Sequence, residues 1–156
     1  MSVDAATHRT LAIDANNSTW EILGKVVNEI TPDEIEEMTR RAYAAAYHWS
    51  RAEGTMPANE ARADWLLSRV WAVRANAQLA LHHARRCLAT CQSAGLVDFD
   101  LAYAHEAMAR ASACDGNEND AREHLDFARA VVINDPEDKA IVDSDLASEP
   151  WFGISQ

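Results

Sequence analysis

The chain has 156 residues, 48% of them apolar and 25% charged, with only five glycines and four prolines. A chain of that length buries a core of its own, and a composition so poor in turn formers suits packed helices rather than sheet or disorder. Fourteen basic residues against 25 acidic leave a net charge of −11, which argues against a nucleic-acid backbone or an anionic membrane as the main partner.

The charge is unevenly spread. Residues 1–57 carry 5 basic and 9 acidic side chains, residues 58–97 carry 5 and 2, and residues 98–156 carry 4 and 14, or −4, +3 and −10. Cys87, Cys91 and Cys114 are an odd number outside any paired framework, which predicts a reducing compartment and a cytoplasmic protein. The opening MSVDAATHRTLAID has an acid at Asp4 and no continuous apolar run, so neither a signal peptide nor a membrane span is expected there.

A single all-α domain of about seven helices is predicted. Residues 1–13 have weak periodicity and are expected to be frayed or loosely docked. Ser18 and Glu21 have the spacing of a capping box, which predicts a first helix from about Thr19 to Asn28 with Trp20, Leu23 and Val27 on its apolar face. Thr31, Pro32 and Glu34 repeat the device for a second helix running to about Glu53, ended by Gly54. A third helix spans about Ala58–Arg74, and Asn76 caps a fourth that ends at Gly95. Asp98 or Asp100 opens a fifth, ending near Cys114, and Asn117 caps a sixth. Asp135 and Pro136 open a seventh that stops before Pro150, and the uncharged tail WFGISQ is expected to fold back onto the protein. The hairpins thus cover about 18–54, 58–95 and 98–133, with a capping helix at about 136–148.

The second helices of the hairpins align with a spacing of 41 residues: Thr39, Ala80 and Ala121; Tyr43, Ala84 and Leu125; Ala46, Cys87 and Ala128. Asn76 and Asn117, Arg69 and Arg110, and Gly54 and Gly95 keep the same interval. A fixed period of this size marks stacked helical hairpins. In helix six, Gly116, Ala121, Leu125 and Ala128 resemble the Gly, Ala, aromatic and Ala positions of the tetratricopeptide repeat superfamily. Trp20, Leu23, Gly24 and Val27 look like its opening W-x2-L-G-x2-Y, and AYHW, SRVWAV and HARRCL are similar to an uncharacterised bacterial family of such proteins.

That resemblance implies a stack of antiparallel helical hairpins whose first helices line a concave groove for peptides or helices. The matching positions are Arg62, Trp65 and Arg69, then Tyr103, Glu106 and Arg110. Two arginines one repeat apart suit a carboxylate, and the aromatics give an apolar platform. The competing reading pairs both arginines with nearby acids and assigns the aromatics to the core.

Tyr47, His48 and Trp49 close helix two, and with Trp71 and His83 they make a candidate ligand pocket. The alternative is large side chains filling the space the alanines leave. His83, Cys87 and Cys91 lie at i, i+4 and i+8 on one helical face, but no metal-binding motif accompanies them, so no metal site or cofactor is expected. No nucleophile elbow or phosphate loop is present. The sequence therefore predicts a non-catalytic module that binds a protein or peptide, with no nucleic-acid or membrane role. An enzyme using His48 and His83 is the alternative, and self-association between the +3 and −10 segments is a third reading.

Overall fold

The computed structural model describes residues 2–155. Within them the chain forms α1 (Ala5–Leu23), α2 (Pro32–Trp49), α3 (Pro57–Val73), α4 (Ala77–Ala94), α5 (Asp98–Cys114), α6 (Glu118–Ala130) and α7 (Pro136–Ala147), with a short 3₁₀ turn at Val27–Glu29 and no strand among the described residues. α1 packs on α2, α3 on α4 and α5 on α6, and α2 and α4 join each hairpin to the next. α7 packs on α5.

Local chemistry explains most boundaries. Thr31 and Glu34 form a reciprocal capping box at α2, with Pro32 in the first turn where no donor is lost. Asn76 and Asn117 accept hydrogen bonds from Leu79 N and Asp120 N, and Asp135 does so from Glu137 N and Asp138 N. Gly95 closes α4 at φ +65°, a left-handed conformation that glycine adopts without a Cβ clash.

The first hairpin departs from the sequence reading in three ways. α1 begins at Ala5, not near Thr19, because Asp4 accepts from Thr7 N and serves as its N-cap. Residues 5–13 are docked rather than frayed: His8 and Ala12 are buried against the neighbouring helix. Ser18 caps nothing, since it sits inside α1 and donates to the Ala15 carbonyl, as a mid-helix serine commonly does. The Trp20–Val27 stretch therefore ends a helix instead of opening one, and α2 stops at Trp49, with Gly54 at φ +64° in the turn that follows.

The period also shifts by one residue. Ala80, Ala84 and Cys87 are buried, as are Ala121, Leu125 and Ala128 one repeat later. In α2 the buried residues are Met38, Ala42 and Ala45, while Tyr43 is exposed and Thr39 and Ala46 are only half-buried. From α2 to α4 the structural interval is thus 42 residues, and only from α4 to α6 is it 41.

Alanine sets the packing distance. α5 buries Ala102, Ala104, Ala107, Ala109, Ala111 and Ala113, so helices approach it from several sides. Few large side chains fill the stack, and a methyl group more or less at these positions is felt. Because Ala12 of α1 has no exposed surface, Ala12→Leu is expected to overpack the first hairpin. It should cost about 1–3 kcal/mol in urea unfolding, whereas a frayed N-terminus would show no change.

Candidate functional site

The six groove residues expected from the sequence do come together on α3 and α5, but only part of that surface is open. At its centre Glu106, fully buried on α5, is surrounded by three donors. Its Oε1 accepts from Arg69 Nη1 of α3 at 2.8 Å and from Arg110 Nε, one turn further along α5, at 2.6 Å. Its Oε2 accepts from Trp65 Nε1 at 2.7 Å. Trp65 and Glu106 hold equivalent places in successive hairpins, as do Arg69 and Arg110, so two repeat positions four residues apart build the whole centre. Burial alone would push the Glu106 carboxyl up. The two guanidinium groups outweigh it and hold the carboxyl below its ordinary value, so it is ionised.

Two cations on one anion leave a surplus positive charge, and the C-terminal segment is laid against it. Arg110 donates through Nη2 to the carbonyl of Asp145 at 3.0 Å, and through Nη1 to those of Ser148 at 2.8 Å and Pro150 at 2.9 Å. The first two lie at the C-terminal end of α7, where the helix dipole is negative, and the Asp145 carbonyl also accepts from Ser148 N and Oγ. Trp151 is buried on the guanidinium, 4.2 Å from Cζ to the ring centre, and donates from Nε1 to the Leu146 carbonyl. Tyr103 Oη donates to Asp145 Oδ2 at 2.6 Å, and burial with that carboxylate raises the phenol above its usual value.

The aromatic residues make a ladder. Trp20 of α1 lies 4.8 Å from Trp65 of α3, which lies 4.1 Å from Tyr103 of α5, ring centre to ring centre. Beside it a cleft of about 400 Å³ remains open between the end of α1 and α7, lined by Trp20, Leu23, Lys25, Val26, Arg69 and Ser148 among others. Arg69 brings to that wall a buried Nε with no hydrogen-bond partner among the described residues. Arg62 lies outside the centre in a half-exposed two-pronged pair with Asp100, over the Phe99 ring. These pairs join the basic middle hairpin to the acidic C-terminal segment within one chain.

The second candidate pocket does not assemble as one site. His48 Nδ1 meets Nδ1 of His8 at 2.7 Å, with Tyr47 packed edge-on against both rings. Trp49 sits beside Arg9. Trp71 and His83 are linked instead through Tyr43: Trp71 Nε1 donates to Tyr43 Oη at 3.0 Å, and His83 Nε2 lies 3.5 Å from that oxygen. His83 Nδ1 pairs with Asp64 at 2.8 Å, and Arg86 also bonds that carboxylate. His8 lies in a stretch whose weak periodicity gives no signal, and Tyr43 stands at a repeat position that points to packing.

Asp64 and His83 each have an equivalent 41 residues on, His105 and His124, whose Nδ1 atoms are 3.0 Å apart. One joint between hairpin helices is thus an acid with a histidine, and the next is a histidine pair within hydrogen-bond distance. Cys87 and Cys91 are buried, and no three His, Cys, Asp or Glu side chains converge on a metal-sized space among the described residues.

Glu106→Gln removes the charge between two buried arginines and should cost about 3 kcal/mol or more in urea unfolding, while Arg62→Ala, at an exposed pair, should stay within about 1 kcal/mol. Equal losses would remove the distinction between centre and rim. The histidine joint gives a pH dependence of defined sign. Burial, foremost, lowers both His105 and His124 from 6.5, so the fold holds them neutral while the unfolded chain takes up protons. Their stabilisation is present above that value and lost as the pH falls below it. His105→Phe with His124→Leu should therefore lose less of its urea midpoint than the unsubstituted protein does between about pH 7.5 and about pH 5.

The chain matches no protein-family model, no curated protein and no solved structure.

Proposed function

We propose that this protein is a non-catalytic interaction module of tetratricopeptide-like design, which holds a protein segment on the inner face formed by α1, α3 and α5. One observation carries the reading: a buried arginine on that face already holds a stretch of polypeptide by three main-chain carbonyls. The aromatic ladder and the cleft beside it extend the same surface with exposed apolar area at Val26 and an unpaired donor on Arg69. Apolar contact plus a few fixed polar groups is the usual recipe of a peptide groove. The three free thiols fit a reducing compartment, and among the described residues no helix is long and apolar enough to cross a membrane.

An enzymatic reading has one specific observation in its favour. Asp64, His83 and Tyr43 form a relay in which an oriented imidazole faces a phenol that also accepts from Trp71. Tyr43 and Tyr47 are comparably exposed. Preferential labelling of Tyr43 over Tyr47 by an aryl sulfonyl fluoride, lost in His83→Ala, would favour that reading over the docking one.

The docking reading is tested by selecting peptides from a random display library on the immobilised protein. Binders should weaken about 10-fold or more on Val26→Glu, which places a charge in the cleft, and should be indifferent to Arg85→Glu on the outer face of α4. Binders that ignore Val26→Glu and fail on Arg85→Glu would contradict it.

A further inference from the structure

The C-terminal segment is attached differently from the rest of the stack. α1 to α6 each join a hairpin partner, whereas α7 packs on α5 and buries only Val142 and Leu146 of its own. Those two side chains and Trp151 share one cluster with Ala102, Ala109 and Ala113 of α5 and with Ala121, Leu125 and Ala128 of α6. The firm hold comes from Arg110, and it grips backbone. A guanidinium that bonds carbonyls reads the course of a chain, a helix C-terminus turning into an irregular segment, with no preference for the residues that supply it. Side-chain selectivity enters where the Trp151 indole stacks on the cation, where Tyr103 donates to the Asp145 carboxylate, and more weakly where Arg69 reaches the Ser148 hydroxyl.

Departure of this segment would also strand no buried charge. Glu106 keeps all three of its donors, from Trp65, Arg69 and Arg110, on α3 and α5, and the freed N–H groups of Arg110 would meet water. Tyr103 would lose only its bond to Asp145. The centre is complete without the segment, and the segment is bound as a ligand would be.

We propose that Asp145–Trp151 is an intramolecular occupant of this site, and that the site takes in trans a segment of another protein with the same chemistry: the last turn of a helix followed within a few residues by proline and tryptophan. This rests on the docking reading and names its partner class. The chain's own segment then sets a threshold, because a competing segment binds with its intrinsic affinity reduced by the fraction of molecules that stand open.

Two measurements on the full-length chain test this. In native-state hydrogen exchange of the unsubstituted protein, the amides of Val142 and Leu146 should exchange through a local opening that leaves Ala107 and Ala109 of α5 protected. Exchange of both groups only through global unfolding would overturn the proposal, and this arm needs no variant. In the second, a fluorescent peptide with the sequence of residues 136–155 is titrated into the unsubstituted protein and into Trp151→Ala. It should bind the variant about 10-fold or more tighter, since the competing occupant is weakened, and the same peptide with its own tryptophan changed to alanine should not bind. No saturable binding to a Trp151→Ala protein of unchanged circular dichroism would overturn the proposal. If that variant does not fold, the exchange arm decides. A concentration-dependent dimer that the peptide dissolves would show that the occupant is a second copy's tail and would overturn a heterologous partner. The open cleft is walled on one side by Asp145, Ser148 and Glu149 of the segment itself. The two readings are therefore told apart by Val26→Glu, which leaves the Arg110 contacts in place: it should weaken peptides selected on the cleft and leave binding of the 136–155 peptide unchanged.

Discussion

A carboxylate without access to water must be surrounded by donors or it will not stay ionised. Glu106 meets that condition with the indole of Trp65 and the guanidinium groups of Arg69 and Arg110. The consequences extend through half the molecule. Equivalent positions of neighbouring hairpins have to face each other, so the stacking of α3 on α5 is fixed to within hydrogen-bond tolerance. One positive charge is left over, and the C-terminal end of α7, with its carbonyls turned outward, is the element that suits it. Trp151 then closes over Arg110 and excludes water from the whole arrangement. A buried ion cluster is weak evidence for high stability, but it specifies one register where an alanine-lined interface alone would tolerate several.

The remaining polar joints follow the repeat. Asp64 with His83 and His105 with His124 occupy one place in two successive hairpins, and the same helix-to-helix contact is made with an acid and a base in one and with two bases in the other. The first hairpin has His8 and His48 at its open end instead. A conserved geometry is thus served by different chemistry. Burial lowers His48 in hairpin one and His105 and His124 in hairpin three, which gives those hairpins a sensitivity to acid.

How much of this the residues disclosed depends on range. Caps at Thr31, Asn76, Asn117 and Asp135 act over three residues and were legible, as was the return of the uncharged tail, since Trp151 had to be covered by something. α1 was not, because its apolar pattern is weak and its cap, Asp4, stands before a stretch with little else to mark a helix. The pattern at Ser18 and Glu21 was a local imitation of a cap that a longer helix overrode. The period held from α4 to α6 and slipped by one at α2, where turn lengths differ between hairpins. Arg69 and Arg110 were legible as a pair one repeat apart and fit to hold a carboxylate. Glu106 lies one turn from Arg110 on α5, but that it also takes Arg69, and that the held segment is the chain's own, depends on contacts between residues 35 to 79 positions apart.

The account stands on the claim that the ionised centre at Glu106, complete on α3 and α5, and the docking of the C-terminal segment are linked through Arg110, which serves both. A double-mutant cycle on Glu106→Gln and Trp151→Ala, read by urea unfolding, measures that union directly. The two losses should overlap, giving a coupling energy of about 1 kcal/mol or more. Losses that add to within about 0.5 kcal/mol would show two independent features and contradict it.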